Sequence, residues 1–173
     1  MRIAFPYPAY WPYVRRGVER CTHDLGTFLA ARGHEVHVIT ATPGRPRVGW
    51  DGKIQVTYTK QLNHPLVYGY GSTLRAFDFT VRATRELARI KPDVAYLWTN
   101  SGIYWAAWMR RRYGINYVSH TSVYWEPGEG RNRYPEVSGA NRLLVLNKSA
   151  IPFAEAEFGI PATTVNPPVD LET

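Results

Sequence analysis

Residues 1–40 read MRIAFPYPAYWPYVRRGVERCTHDLGTFLAARGHEVHVIT, and this stretch decides the fold. Ile3, Ala4 and Phe5 form a short apolar run that Pro6 and Pro8 halt, because proline cannot donate to a strand ladder. A loop follows from Tyr7 to Arg16. Val18, Cys21, Leu25, Phe28 and Leu29 then recur at helical spacing, with Glu19, Arg20, His23 and Asp24 largely on the opposite side. The spacing predicts a helix over 18–32 that lays one face on a sheet. Gly33 ends it, and Val36, Val38 and Ile39 give a second strand. A strand, helix and strand of this length make a parallel crossover, right-handed by chirality.

Outward from that unit the pattern repeats. Residues 41–52 are rich in proline, glycine and arginine and read as a solvated loop, and 53–60 alternate as a third strand. Gln61–Ser72 is a long aromatic connection in which Gly69-Tyr70-Gly71-Ser72 reads as a turn and helix N-cap. Leu74, Phe77, Val81 and Leu87 carry a second helix to Ile90, ahead of Pro92. Residues 92–98, PDVAYLW, are apolar on both faces, as a central parallel strand must be. The polar cluster Thr99–Gly102 leads into a helix over 103–113 whose Trp105 and Trp108 read as packing residues, and Gly114 caps it. Residues 115–119 make a fifth strand that delivers His120 at its C-terminal end. A sixth strand over 141–146, a helix over 149–158 with Pro152 in its first turn, Gly159, and a short strand over 163–165 complete the series. The expected class is α/β, an open parallel sheet with helices on both faces, in one domain over 1–173.

The totals narrow the function classes. A chain of 173 residues buries roughly 70% of the surface its unfolded form exposes, enough for a real core. Nothing approaches a membrane-spanning run, and the N-terminus lacks the pattern of a signal peptide, so a cytoplasmic location is expected. The only cysteine, Cys21, excludes an internal disulfide and reads as a small buried hydrophobe. The net charge of +7 brings an anionic partner into consideration, whether nucleic acid, a phosphorylated ligand or an acidic membrane surface. The charge is dispersed over Arg15/Arg16, Arg45/Arg47, Arg110–Arg112 and Arg131/Arg133, without a nucleic-acid-binding signature, so no nucleic acid is expected. Arg110–Arg112 read as cations that offset a helix C-terminus. His34 and His37 have a metal-like spacing but no third ligand, so no metal is expected either.

Gly17-Val18-Glu19-Arg20 after a first strand, followed by Leu29-Ala30-Ala31-Arg32-Gly33-His34-Glu35-Val36, resembles the opening of the GT-B glycosyltransferases of family 4. Arg16 stands where that family has the first of two glycines. Further along, Pro92-Asp93-Val94 resembles the family's "PDVVHxH" strand, and Val145-Leu146-Asn147 with Ser149 its "VLN-S" strand and helix. Asn166-Pro167-Pro168-Val169-Asp170-Leu171-Glu172 resembles "PNGVDLE", with Pro168 where glycine is usual. The matches occur in the family's order over nearly the whole chain. The resemblance implies one Rossmann-like half of a GT-B fold, the acceptor-binding domain of a retaining enzyme. The C-terminal donor-binding domain, with its E-x7-E motif, is expected outside this chain, in a further domain or separate subunit. The implied co-substrate is a nucleotide-sugar, with no other cofactor.

In an open parallel sheet, ligands bind beyond the carboxyl ends of the strands. Tyr7–Gly17, Thr99–Gly102, His120–Thr121 and Asn147–Ser149 fall there. His120 is the candidate catalytic residue: an imidazole at a strand end can hydrogen-bond a sugar or acceptor hydroxyl and help move a proton, the alternative being a partly buried structural role. The family places a histidine near the reaction centre at this position. Gly17 at a helix start could let amides approach a phosphate, or be a plain helix entry. Arg16, Asn100, Ser101 and Thr121 are further substrate-binding candidates. The loop from His120 to Ala140 is long and rich in glycine and proline, as lids often are, and its Tyr124, Trp125 and Tyr134 could line a sugar or lipid acceptor. Basic balance and aromatic loops suit a lipid-linked or polyanionic acceptor and peripheral contact at the inner membrane face. A different class remains open, a non-catalytic Rossmann-like module that binds a phosphorylated ligand or a partner protein. A dehydrogenase is disfavoured because residues 1–17 hold no G-x-G-x-x-G.

Overall fold

The computed structural model describes residues 1–42, 44–60, 73–99, 103, 105–121, 130 and 136–165. The elements are β1 (Arg2–Pro6), α1 (Gly17–Ala31), β2 (Glu35–Thr42), β3 (Arg47–Asp51), β4 (Ile54–Lys60), α2 (Thr73–Ile90), β5 (Val94–Trp98), α3 (Ala106–Tyr113), β6 (Tyr117–Thr121), β7 (Arg142–Val145), α4 (Ile151–Phe158) and β8 (Ala162–Thr164). Short 3-10 turns at Val137–Gly139 and Lys148–Ala150 flank β7. One sheet holds the strands in the order β3-β4-β2-β1-β5-β6-β7-β8. Among the described strands only β3 runs antiparallel.

Among the described residues, two of the three core clusters lie on the two faces of the central strands, the third joining β7 to α4. Phe79, Ala83 and Leu87 of α2 and Ala106 and Met109 of α3 pack with Ala4, Ile39, Ala95 and Leu97 on one side. Ile3, Phe5, Val36, Val38, Val56, Tyr96 and Trp98 pack on the other, against Val18, Cys21, Leu25 and Leu29 of α1. β5 shows why: Ala95 and Leu97 alternate with Tyr96 and Trp98, so its aliphatic residues meet α2 and α3 while its aromatic ones meet the α1 side. At the α3 side Gly139 has no room for a side chain, since a Cβ would come within 2.6 Å of the Tyr117 hydroxyl and 2.9 Å of the Ala107 Cα. Gly33, Gly114 and Gly159 end helices at φ of 84°, 68° and 67°, the left-handed region that glycine enters without strain.

Three expectations need correction. Residues 41–52 are not all loop: β2 runs on to Thr42, and β3 forms a hairpin with β4 in which Asp51 faces Ile54 across Gly52-Lys53. β3 is short, contains Gly49 and is mostly exposed, so it shows no apolar alternation, yet Asp51-Gly52, with Gly52 at φ 55°, is a hairpin-turn signal. His120 therefore lies on the sixth strand in chain order. The second concerns α1, whose most buried residues are Glu19, Thr22, Gly26 and Ala30, while Phe28 is exposed. The helix comes so close to the sheet that a Cβ at Gly26 would lie 3.0 Å from Ile54 Cδ1, so small residues take the line of contact and larger aliphatics flank it. α3 also begins three residues later than expected, with Ile103 fully buried ahead of it.

At the amino edge Arg2 clasps the sheet. Its amide donates to Asp93 Oδ2 at 2.7 Å, its Nη1 donates to the Ile90 carbonyl at 2.8 Å, and its guanidinium pairs with Glu35 at 2.9 Å. The carboxyl edge is the rim where the first loop, α1 and the end of β6 meet.

Candidate functional site

His120 is paired on β6 with Trp98 of β5 on one side and Leu144 of β7 on the other. It is 1% exposed. The register sets its ring beside the Trp98 indole, with centroids 4.3 Å apart and planes 22° from parallel. Tyr96, two residues before Trp98 and therefore on the same face, meets the imidazole edge-on and hydrogen-bonds through its hydroxyl to His120 Nδ1. Trp98 in turn donates from Nε1 to Thr22 Oγ1 at 2.9 Å, and Thr22 donates to the Val18 carbonyl at 2.8 Å in the first turn of α1. The backbone is fixed as well, since the Thr99 amide and hydroxyl both donate to the His120 carbonyl, at 2.8 and 2.9 Å. One continuous set of contacts therefore runs from the start of α1 to the end of β6.

The electrostatics follow from burial. With no charge among the described residues to favour the imidazolium, desolvation pushes His120 down to about 4, so the ring is neutral at pH 7. Desolvation also raises the Tyr96 phenol, which stays protonated. Assigned from this network, the phenol donates to Nδ1 and the imidazole proton resides on Nε2. Nε2 has no hydrogen-bond partner among the described residues. Of the two roles read from the sequence, a neutral Nε2–H suits hydrogen bonding to a substrate oxygen better than cycling through a cation near neutral pH.

The other predicted residues divide clearly. Gly17 is exposed at the start of α1, where a Cβ would meet nothing within 4 Å, leaving open space over the helix N-terminus. Arg16 is the N-cap residue at φ −132° and ψ 176°, an extended conformation open to any residue, and its carbonyl accepts from the Arg20 amide at 3.0 Å. Thr121 is buried at the last position of β6. Asn100, Ser101, Tyr124 and Trp125 lie outside the described residues, as do the connection 61–72, most of the loop 121–140 and the tail 166–173. Trp105 packs edge-on against Phe77 with centroids 4.9 Å apart, and Trp108 edge-on against Tyr113 at 5.8 Å. Cys21 is half-buried and its thiol is pushed up by burial, the behaviour of a packing residue. His37 pairs with Glu35 at 2.8 Å, and among the described residues no group of three His, Cys, Asp or Glu could hold a metal.

Sequence reading missed Tyr96, Trp98 and Thr22 of this site and misplaced Glu19. Tyr96 and Trp98 carry period-two spacing on a central strand, which marks a shared face but not its partner. Glu19 was assigned to solvent, yet it is 1% exposed, and burial raises its carboxyl above the ordinary range against the lowering pull of a backbone hydrogen bond and Arg16. A second polar cluster ties the first loop to the β3–β4 hairpin: the Tyr10 hydroxyl donates to Asp51 Oδ2 at 2.9 Å, and His23 lies 3.5 Å from the same oxygen.

The sequence profile described as Glycosyltransferase Family 4 matches residues 15–173. The chain belongs to glycosyltransferase family 4. The fold agrees with solved GT-B glycosyltransferases. The E. coli trehalose-6-phosphate structure bound with UDP-2-fluoro glucose aligns at a TM-score of 0.66 and 11% identity, over 98% of this chain and 49% of that one. Sucrose-phosphate synthase from Thermosynechococcus elongatus aligns at 0.66 and 14% identity, over 95% and 47%. The catalytic domain of starch synthase IV from Arabidopsis thaliana, bound to ADP and acarbose, aligns at 0.67 and 11% identity, over 98% and 52%. The family 4 chain thus spans about half the length of these three structures. No curated protein matches it in sequence.

Proposed function

We propose that this family 4 chain is the acceptor-binding half of a retaining glycosyltransferase, which moves a sugar from a nucleotide-sugar to an acceptor hydroxyl. The observation that carries the reading is His120: a neutral imidazole, locked by Tyr96 and Trp98 and linked through Thr22 to the first turn of α1, at the rim where an open parallel sheet binds ligands. A donor hydrogen bond from Nε2 would hold a sugar or acceptor oxygen in a fixed position, and fixed position is a large part of catalysis between two bound substrates. The open space over Gly17, at the positive end of α1, suits a phosphate or a polar acceptor group. Arg16 and Thr121 border the same rim, and Asn100, Ser101, Tyr124 and Trp125 adjoin it in sequence.

The donor-binding lobe is supplied by a C-terminal domain or a separate subunit. In keeping with this, the chain covers about half of relatives whose bound groups include UDP-2-fluoro glucose and ADP with acarbose. The acceptor is a sugar, a lipid-linked sugar or another hydroxyl compound. Among the described residues no helix is long and apolar enough to cross a membrane, and contact with a lipid-linked acceptor would be peripheral.

The test is saturation-transfer NMR of the chain with a panel of sugars and sugar nucleotides, alongside glycosyl transfer when a donor lobe is joined to it. His120→Ala should abolish acceptor signals and transfer while leaving a cooperative melt. Full activity in His120→Ala would overturn the role given to the imidazole. Nucleotide-sugars should bind the chain weakly, and tight binding would place the donor site here instead.

A further inference from the structure

Away from His120, at the far edge of the sheet, a groove of about 490 Å³ lies between the β3–β4 hairpin and α2. Its volume is that of a small-molecule site. Arg82, Arg85 and Arg89 line it from α2 at i, i+3 and i+7, so the helix presents one cationic stripe, and Arg47 and Lys60 line it from the strands. Among the described lining residues the only acidic one is Glu86, so they carry 5 − 1 = +4, more than half of the chain's formal +7.

These cations are unequally committed. Arg82 is paired with Asp78 at 2.9 Å and Arg89 with Glu86 at 2.8 Å. Arg47 stacks on the Tyr58 ring, its guanidinium 4.1 Å from the centroid. Arg85 and Lys60 have no carboxylate partner among the described residues. The strand wall adds Thr57, 6% exposed, whose Oγ1 has no hydrogen-bond partner among the described residues. A buried hydroxyl without a partner is uncommon in a folded protein, and here it borders a cavity rimmed by uncommitted guanidinium and ammonium groups.

We propose that this groove binds the phosphoryl group of a small phosphorylated ligand, with Arg85 as its principal anchor. A phosphoryl dianion supplies terminal oxygens for the guanidinium fork of Arg85 and a counter-charge for Lys60, while Arg47 stays on the Tyr58 ring. Thr57 offers a hydroxyl to the rest of the molecule, as a sugar phosphate would require, while Thr59 Oγ1 is already committed to the Thr40 carbonyl at 3.2 Å. A soluble sugar phosphate and a phospholipid headgroup share this chemistry, and the measurement separates them. The site is independent of His120 and of the acceptor reading.

Calorimetric titrations of the 173-residue chain with inorganic phosphate, a hexose 6-phosphate and the unphosphorylated hexose test it, beside co-sedimentation with phosphatidylcholine vesicles with and without phosphatidic acid. The hexose phosphate should saturate one site that the hexose does not occupy, and added salt should weaken it. Arg85→Ala should weaken it by about tenfold or more, Arg85→Glu should abolish it, and Thr57→Val should weaken it by about threefold, as expected for loss of charge-assisted and neutral hydrogen bonds. Matched melting curves keep these losses separate from unfolding, and His120→Ala should bind as the parent does. Binding confined to vesicles with phosphatidic acid and lost in Arg85→Glu supports the headgroup source. Absence of saturable binding by every phosphoryl probe, or binding unchanged in Arg85→Glu, overturns the proposal.

Discussion

The centre and the far edge of this sheet handle polar groups in opposite ways. Around β5 and β6, His120, Tyr96 and Trp98 lie between strands and helix α1, 1%, 8% and 5% exposed, and burial holds the imidazole and phenol neutral. At β3 and α2, arginines stand in solvent beside a short hairpin and keep their charge. The lesson is one of dielectric. A buried group is held by ring contacts and neutral hydrogen bonds that fix its geometry, whereas an exposed cation contributes long-range attraction and little stability.

This contrast can be broken by measurement. The largest difference is expected between two tryptophans. Trp98→Ala should cost about 3–5 kcal/mol in denaturant unfolding, because a large buried ring and its bond to Thr22 are lost. Trp50→Ala, at a site 70% exposed on β3, should stay within about 0.5 kcal/mol. Equal losses would mean that the edge is packed as tightly as the centre.

Next in size is a pH effect. An ordinary histidine titrates near 6.5, and burial moves His120 to about 4. The unfolded chain therefore takes up this proton as pH falls through 6.5, while the folded chain resists until about 4. Stability should fall over that window and owe nothing to this group above it, by about 3 kcal/mol in total. The difference between the parent and His120→Gln, followed by chemical denaturation from pH 7 to 4, isolates the slope from carboxylates that titrate nearby. Parallel curves would show that the ring is not desolvated.

Smaller still, Tyr96→Phe removes the donor to His120 Nδ1 and leaves a buried nitrogen unpaired, at about 1–3 kcal/mol. Nitrogen chemical shifts of His120 should then report a mixture of tautomers in place of the Nε2–H form. The smallest effect belongs to the edge: Arg89→Ala should alter stability by less than about 0.5 kcal/mol, its pair with Glu86 being exposed. A loss above about 1.5 kcal/mol, the scale of a charged hydrogen bond within protein, would mean that the pair is drier than its exposure implies.

Much of the central region was legible because its residues obey a strong period. The run Val94–Trp98 and the apolar 3–5 are buried strands by composition alone, and Gly33, Gly114 and Gly159 mark helix ends at left-handed φ values. What stayed hidden depends on closeness. Glu19 reads as polar and outward-facing, yet it shares its line on α1 with Thr22, Gly26 and Ala30, the small residues that let the helix touch the sheet. The spacing of those three was the available signal. That His120 would be held by Tyr96 and Trp98 depends on register between β5 and β6, which no single stretch encodes. β3 was lost for the opposite reason, since a brief exposed strand has no buried face to impose alternation, and only Asp51-Gly52 announced it.

Among the described strands, the two that flank the sheet, β3 and β8, have five and three residues. Margins so brief, one of them turned back against the direction of its neighbours, give a foreign strand few backbone groups on which to nucleate. Crowding of many copies should therefore leave the sheet unextended, and any companion protein has to recognise side chains, not the peptide ladder.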